Sequence, residues 1–235
     1  MYKENKILAL IPARGGSKGI KNKNIVELNG HPLIAYSIKT SLNSRYIDET
    51  VVTTDSEDIA KISKNYGASV PFLRPKELAS DQAKTIDAVV HAIKMLHEVK
   101  LYFDVLILLQ PTQPLRTAND IDGALEIFFE KGMRGLVSVS PVADHPLLIR
   151  SFDEEGNLMS LLGENSTCRR QDMKNYYKVN GCIYINRICT LTKHTSFNDN
   201  PVGYIMDGAR SVDIDDMEDL RLAEYYLQKK EAVSL

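Results

Sequence analysis

The sequence predicts an α/β fold: a doubly wound, mostly parallel sheet carrying one small inserted arm. Two observations predict the sheet. Apolar runs of strand length recur along the 235 residues, and amphipathic helical stripes separate them. A third predicts the arm, because from 144 to 179 this rhythm stops. The expected organisation is one α/β domain built from 1–143 and 180–235, with 144–179 inserted.

The first run, Ile7-Leu8-Ala9-Leu10-Ile11, is apolar without interruption, as a strand covered on both faces must be. The stretch from Ile11 to Asn24 follows, with three glycines and four cations, Arg14, Lys18, Lys21 and Lys23, before a helix opens at Pro32–Ile38. Glycines let backbone amides nest around an anion, and lysines offset its charge. The loop therefore predicts a phosphate-rich ligand at the carboxyl end of the first strand. It matches neither the Walker A order nor the dinucleotide fingerprint, and a solvated basic turn is the competing reading.

Thr50–Thr54 reads as the second strand, and Asp55 or Ser56 can cap a helix carrying Ile59, Ile62 and Ser63 on one side. Ala68–Leu73 is expected as a short third strand, edge-like because of Pro71. Ile86, Val89, Val90, Ile93 and Leu96 form a helical stripe. Asp104–Leu109 reads as a central strand, Ile121, Leu125 and Phe128 as a helix, and Gly135–Ser140 as another strand. Within the arm, Leu147–Phe152 is strand-like, Asp153–Asn157 is a turn, and a polar stretch holds Arg169, Arg170, Gln171 and Lys174. Gly181–Asn186 and Val202–Met206 resume as strands, and a last helix presents Met217, Leu220, Ala223 and Leu227.

Composition narrows the function. Lys plus Arg is 29 and Asp plus Glu is 31, a net charge of −2, which leaves no global footprint for nucleic acid. No apolar run approaches the roughly 20 residues of a membrane span, and Met1–Lys6 is short and polar, so a cytoplasmic protein is expected. Cys168, Cys182 and Cys189 lack metal-type spacing and are expected as free thiols. His145 before Pro146 reads as a turn histidine, with a base as the alternative; the other histidines show no partner pattern, and tyrosines 176, 177, 184 and 204 are assigned to packing.

Three segments can do chemistry. In Asp213-Ile214-Asp215 an extended backbone would point both carboxylates to one side, which suits Mg²⁺ when phosphates complete its shell. The competing role is the N-terminus of the next helix, and both hold if Asp216 supplies the cap. Arg74, at a strand end, can donate to a base carbonyl or a phosphate, or sit in a surface ion pair. Gln110-Pro111-Thr112-Gln113-Pro114-Leu115-Arg116 is stiffened by its prolines right after the most apolar strand.

Pro12-Ala13-Arg14, Ser17-Lys18-Gly19, Lys23-Asn24, Leu73-Arg74-Pro75, Leu78-Ala79-Ser80-Asp81, Leu109-Gln110-Pro111-Thr112, Asn180-Gly181 and Asp213-Ile214-Asp215 occur in this order. Together they resemble the CMP-sialic acid synthetase (acylneuraminate cytidylyltransferase) family nearly end to end. The resemblance implies that CTP and a nine-carbon 2-keto sugar acid, a nonulosonate, give the CMP-sugar and pyrophosphate. It implies that Arg14, Lys18 and Lys23 hold the triphosphate, while Asn24, Arg74 and the Ala13–Arg14 backbone read cytidine. Ser80, Ala83 and Thr85 would line that pocket. Gln110, Arg170, Lys178, Asn180 and Tyr184 would meet the sugar acid, and Asp213 and Asp215 would hold Mg²⁺. The chemistry itself would fall to Arg14, Lys18, Asp213 and Asp215. The arm resembles the family's dimerisation arm, which implies a homodimer.

Two positions depart from the family pattern. Leu148 stands where some members carry lysine, and Lys178 where others carry arginine, so recognition of the sugar acid is expected to differ from that of the neuraminate enzymes. The Arg169–Asp172 run and the compact length resemble the bacterial legionaminate-type branch, with pseudaminate as a further acceptor. Rival readings are a metal-dependent sugar-nucleotide glycosyltransferase and a dimer that senses CTP without turning it over.

Overall fold

The computed structural model describes residues 1–17, 19–163, 167 and 169–233, and for Arg170 and 230–233 the backbone only. Among the described residues, ten strands and five α-helices follow in chain order: β1 (Ile7–Pro12), β2 (Glu27–Leu28), β3 (His31–Pro32), α1 (Leu33–Leu42), β4 (Glu49–Thr53), α2 (Glu57–Asn65), α3 (Thr85–Glu98), β5 (Val105–Leu108), α4 (Ala118–Glu130), β6 (Leu136–Pro141), β7 (Arg150–Phe152), β8 (Leu158–Ser160), β9 (Tyr177–Arg187), β10 (Val202–Ile205) and α5 (Met217–Val233). The main sheet has the order β10-β6-β9-β5-β1-β4. β1 runs parallel to β4 and β5, and β6 parallel to β10, while β9 is antiparallel to both its neighbours.

Alternation along β1 explains the two helical layers. Ile7, Ala9 and Ile11 pack in one cluster with α1, α2 and α4 through Ile34, Ile59, Leu125 and Phe128. Leu8 and Leu10 pack on the other face with Ile86, Val89 and Leu96 of α3. A strand sandwiched this way has no solvent face, hence its unbroken apolar run. A third cluster joins Ile20, Leu28 and Leu33 to Ile214, Leu220 and Ala223. It fastens the start of α5 onto the small β2–β3 hairpin and so fixes the C-terminal aspartates beside the N-terminal loop.

Caps form where the sequence places them. Ser56 Oγ accepts from the Ile59 N–H at the start of α2. Thr117 and Asp120 make a reciprocal capping box on α4. Asp216 Oδ1 accepts from the N–H groups of Glu218 and Asp219, which supplies the expected cap on α5.

The expected third strand at Ala68–Leu73 is corrected. Only an isolated parallel bridge between Val51 and Ser69 forms, because Pro71 has no N–H to continue a ladder. Val90 and Met217, read as core stripe residues, are exposed. The hairpin at 27–32 was not anticipated. Asn29 and Gly30 both take left-handed φ values, 47° and 79°, as a two-residue type I′ connection requires.

In the arm, Pro146–Leu148 forms a 3-10 turn, β7 and β8 pair as a hairpin, and β9 begins at Tyr177. His145 is a turn residue: its Nδ1 accepts from the Leu147 N–H at 3.2 Å. Among the described residues no helix is long and apolar enough to cross a membrane. Cys182 and Cys189 are free thiols, and Cys168 lies outside the described residues.

Candidate functional site

The loop leaving β1 meets three other segments at the carboxyl edge of the sheet. Gly15 donates its N–H to Asp55 Oδ1 at 2.9 Å, tying the loop to the end of β4. Asn24 is buried and its Nδ2 donates to the Arg14 carbonyl at 2.9 Å, folding the loop back on itself. Gly19 lies so close to the Asp215 carbonyl oxygen that a Cβ there would overlap it. Lys23 Nζ donates to the Ile214 carbonyl at 2.8 Å and pairs with Asp215 Oδ1 at 2.9 Å. The loop after β1 thus touches the segment that leads into the last helix.

Two cavities open on this junction. The first, about 600 Å³, is lined by Arg14, Lys23, Asn24, Arg74, Ser80, Ala83, Thr85, Gln110, Thr112 and Asp215. The second, about 570 Å³, is lined by Gln110, Lys178, Asn180, Tyr184 and Asp213. Both volumes suit small-molecule ligands. Gln110 belongs to both walls, so it marks where two bound molecules would meet.

Arg74 carries the most informative electrostatics. It is only 6 % exposed, its Nε and Nη2 find no hydrogen-bond partner, and its nearest anion is Asp55 at 3.9 Å. Burial pulls its pKa below the ordinary arginine value, with Asp55 opposing and Arg14 reinforcing the shift. A buried guanidinium short of acceptors at a cavity wall is matched to a ligand that brings them.

Asp213 shows the opposite charge problem. Its carboxyl is pushed above the usual carboxylate range, first by desolvation, with Asp215 and Asp219 adding to the rise; a hydrogen bond from Thr112 and the charge of Lys23 resist it. Among the described residues no group of three or more His, Cys, Asp or Glu is arranged to hold a metal. Asp213 and Asp215 instead offer a two-carboxylate donor set at the seam between the cavities. That set, with an unneutralised carboxyl, fits a hard cation that takes its remaining oxygens from phosphates and water.

The second cavity rests on a buried polar network. β6 and β9 shift register between Val137 and Val139. Ser138 Oγ fills the irregularity, accepting from the Ile183 N–H at 2.8 Å and donating to Asn180 Oδ1 at 2.6 Å. Asn180 Nδ2 donates to Ser211 Oγ at 3.0 Å, so much of this amide is engaged inside the protein. Gly181 has φ +76°, and a Cβ would come within 3.3 Å of Gln110 Oε1, so glycine keeps that wall open. Gln113 and Arg116 are buried supports: Gln113 Nε2 donates to the Asn180 carbonyl, and Arg116 to the carbonyls of Cys182 and Gln110. Burial pushes the Cys182 thiol up to about 12, which removes it as a nucleophile.

Tyr184 donates its hydroxyl to Asn198 Oδ1 at 3.0 Å, and burial pushes its pKa up to about 12, so it stays protonated. Ala13 is fully buried and its N–H is taken by the Thr53 carbonyl, so a backbone contact to a ligand there falls to other atoms. Leu148 is exposed on the arm turn and lines neither of these cavities. Lys18 lies outside the described residues, as does the Arg170 side chain, whose backbone belongs to a 3-10 turn at Arg170–Asp172.

A family model described as Cytidylyltransferase matches residues 8–231. The chain belongs to the cytidylyltransferase family. It is 38 % identical over 231 residues to the CMP-N,N'-diacetyllegionaminic acid synthase of Legionella pneumophila, covering 95 % of this chain and 97 % of that protein. It is 38 % identical over 229 residues to the N-acylneuraminate cytidylyltransferase of Escherichia coli, covering 96 % of this chain and 53 % of that one. Identity to a pseudaminic acid cytidylyltransferase of Campylobacter jejuni is 34 % over 221 residues, covering 93 % and 95 %. Among solved structures, a CMP:2-keto-3-deoxy-manno-octonic acid synthetase complexed with CTP superposes with a TM-score of 0.72 at 16 % identity, covering 96 % and 99 %. That likeness is one of fold.

In this cytidylyltransferase the sequence reading missed Asn198, Ser211 and Asp219 in the second cavity. No local signal marks Asn198. It reaches Tyr184 only through the turn at Phe197–Asp199, which packs Phe197 against the β9 face.

Proposed function

We propose that the chain transfers cytidylate from CTP to the anomeric hydroxyl of a nonulosonate, releasing pyrophosphate. The observation that supports this most is the contact of Gly19 and Lys23 with the Ile214–Asp215 segment, beside two cavities that share Gln110. One cavity is lined by Gly16, Gly19 and the cations Arg14, Lys23, Arg74 and Lys84, groups that suit a nucleoside triphosphate. The other holds Lys178 and an amide wall suited to a polyhydroxylated acid.

In this reaction the 2-hydroxyl of the sugar acid attacks the α-phosphorus, and pyrophosphate departs in line. Such transfer depends on placement and charge neutralisation more than on covalent help from the protein. Arg14, Lys18 and Lys23 would take the phosphate oxygens, with Lys18 opposing charge on the leaving group. Arg74 and Asn24 would hold the cytidine side, and Ser80, Ala83 and Thr85 its wall. Gln110, Lys178, Asn180 and Tyr184 would orient the acceptor. Asp213 and Asp215 would hold Mg²⁺, which when bound lowers the pKa of an attacking hydroxyl and offsets phosphate charge. Among the described residues at the seam, the aspartates are the side chains that could take the proton.

The acceptor we favour is a legionaminate-type acid. What supports this is the 38 % identity to the legionaminic acid synthase relative, against 34 % to the pseudaminic acid enzyme. We further propose a homodimer through the arm, whose hairpin exposes Phe152, Leu158 and Leu161. A cytoplasmic setting follows from CTP as donor.

The test is pyrophosphate release with CTP and Mg²⁺ across legionaminate, pseudaminate, N-acetylneuraminate and the eight-carbon 3-deoxy acid. Release with a nine-carbon acid is the expected result. Silence with all four, or turnover of a ready-made UDP- or GDP-sugar, would overturn the assignment in favour of a CTP-binding dimer or a glycosyltransferase.

A further inference from the structure

We infer that Arg116 is a positioning residue that sets the spacing between the two cavities, by clamping the backbone of Gln110 to that of Cys182. This rests on Gln110 orienting the acceptor in the proposed transfer. β5 and β9 pair antiparallel from Val105 opposite Arg187 to Leu108 opposite Tyr184, and there the ladder stops. Continued by two residues, the register would set Gln110 opposite Cys182. Instead the Arg116 guanidinium bridges them. Its Nη1 donates to the Cys182 carbonyl at 2.6 Å, and its Nη2 donates to the Gln110 carbonyl.

Other groups reinforce both ends of this bridge. Arg116 is 3 % exposed, and its Nη2 also donates to Ser37 Oγ on α1. Ser37 in turn donates to the Gln110 carbonyl at 3.2 Å, and the Gln113 N–H reaches the same oxygen at 3.3 Å. On the β9 side, Gln113 Nε2 donates to the Asn180 carbonyl at 2.6 Å, while its Oε1 accepts from Cys182 Sγ at 2.9 Å. Burying a guanidinium costs stability, and what it secures here is a planar fork of fixed width. A lysine ammonium could reach one carbonyl without fixing the distance between two. Gln110 lines both cavities and Arg116 lines neither, so Arg116 acts on turnover through the walls it holds. Its charge also acts on Asp213, and the conservative variant separates that influence from geometry.

Pyrophosphate release with legionaminate, CTP and Mg²⁺, CTP binding by calorimetry and crystal structures test this on Arg116→Met and Arg116→Lys. Arg116→Met is expected to lower kcat about a hundredfold, as a misplacement of about 1 Å does, and to leave the Kd for CTP within about twofold. Arg116→Lys keeps the charge but not the fork, so its kcat should stay within about threefold of Arg116→Met. In a Gln110→Ala background, Arg116→Met should cost no more than about threefold further. An undiminished loss in that background would overturn the inference by placing the effect elsewhere than Gln110. A wild-type rate in Arg116→Lys would also overturn it, by assigning the effect to charge beside Asp213. If Arg116→Met does not fold, Ser37→Ala reads the same clamp: kcat should fall about fivefold, and not at all in the Gln110→Ala background. Wild-type kinetics in Ser37→Ala would then overturn the inference. Silence of the wild type with every sugar acid would sink the transfer reading alone, because the crystal structures still decide the clamp. Gln110 and Cys182 carbonyls displaced by about 1 Å in the Arg116 variants would support it, and carbonyls left in place would overturn it.

Discussion

Replacing Arg74 by methionine separates a ligand-binding guanidinium from a structural one. At 3.9 Å from Asp55, an effective dielectric near 20 gives roughly 4 kcal/mol of gross attraction, set against several kcal/mol for desolvating a charge. The two nearly cancel, and no hydrogen bond from Nε or Nη2 tips the balance. Asp55 keeps the Gly15 N–H and some water after the substitution, so little is left stranded. Arg74→Met is therefore expected to move Tm by no more than about 4 °C in either direction, since 1 kcal/mol corresponds to about 2–4 °C at this size. Nucleotide binding should respond far more. A charge-assisted hydrogen bond is worth about 1.5–3 kcal/mol, which translates into a KM for CTP raised between about tenfold and 150-fold. Thermal scanning with steady-state kinetics reads both. A Tm lowered by more than about 8 °C with KM for CTP unchanged would refute the reasoning and make Arg74 a strut.

Gly19→Ala forces its Cβ onto the Asp215 carbonyl; a displacement of about 1 Å should lower kcat/KM about a hundredfold, with a modest loss of stability, and wild-type kinetics would show that the loop and the aspartates do not act together. Asp213 has a folded pKa above its unfolded value, so its stability contribution is present below the unfolded pKa and lost as pH rises through the folded one. Asp213→Asn should therefore raise Tm at pH about 7, with the gain shrinking as pH falls toward about 4, and a variant less stable at neutral pH would contradict the raised pKa. Asp213→Asn with Asp215→Asn should fold yet lose turnover by orders of magnitude, so retained turnover would remove the metal assignment. Phe152 and Leu158 face each other across the arm hairpin; charging both as aspartate should give a monomer by light scattering with unchanged circular dichroism, and an unaltered mass would exclude the arm as the interface.

The sheet was legible wherever burial on both faces forced unbroken apolar runs, as in β1 and β5, which are buried along nearly their whole length. Direction was not. β9 is antiparallel between β5 and β6, yet its apolar half, Cys182–Ile185, reads like any parallel core strand. Hydrophobicity reports burial, and burial is the same for either direction. Ala68–Leu73 failed for the converse reason: its residues are apolar enough for a strand, but one bridge at Ser69 is all that Pro71 leaves possible. The Asn29-Gly30 turn carried a readable signal, but its flanking strands are two residues each, too short for an alternating pattern to show.

At the site, what could be read were residues whose chemistry depends on local order: the loop glycines, of which Gly19 closes on Asp215, and the two aspartates flanking a buried Ile214. Ile214 explains why that pattern holds together. Its side chain joins the cluster of Ile20 and Leu28, and its N–H bonds the Thr112 carbonyl, so the flanking carboxylates are left at the seam as a consequence of packing. Partnerships across the fold stayed hidden, because Arg14 with Asp81 or Tyr184 with Asn198 exists only once separate segments meet. The same physics sets the character of the pocket. A cradle of cations would repel itself if left bare, and Asp81, Asp215 and Asp55 relieve this by pairing with Arg14, Lys23 and Arg74. Reading the cations alone therefore overstates the positive charge that the cradle presents.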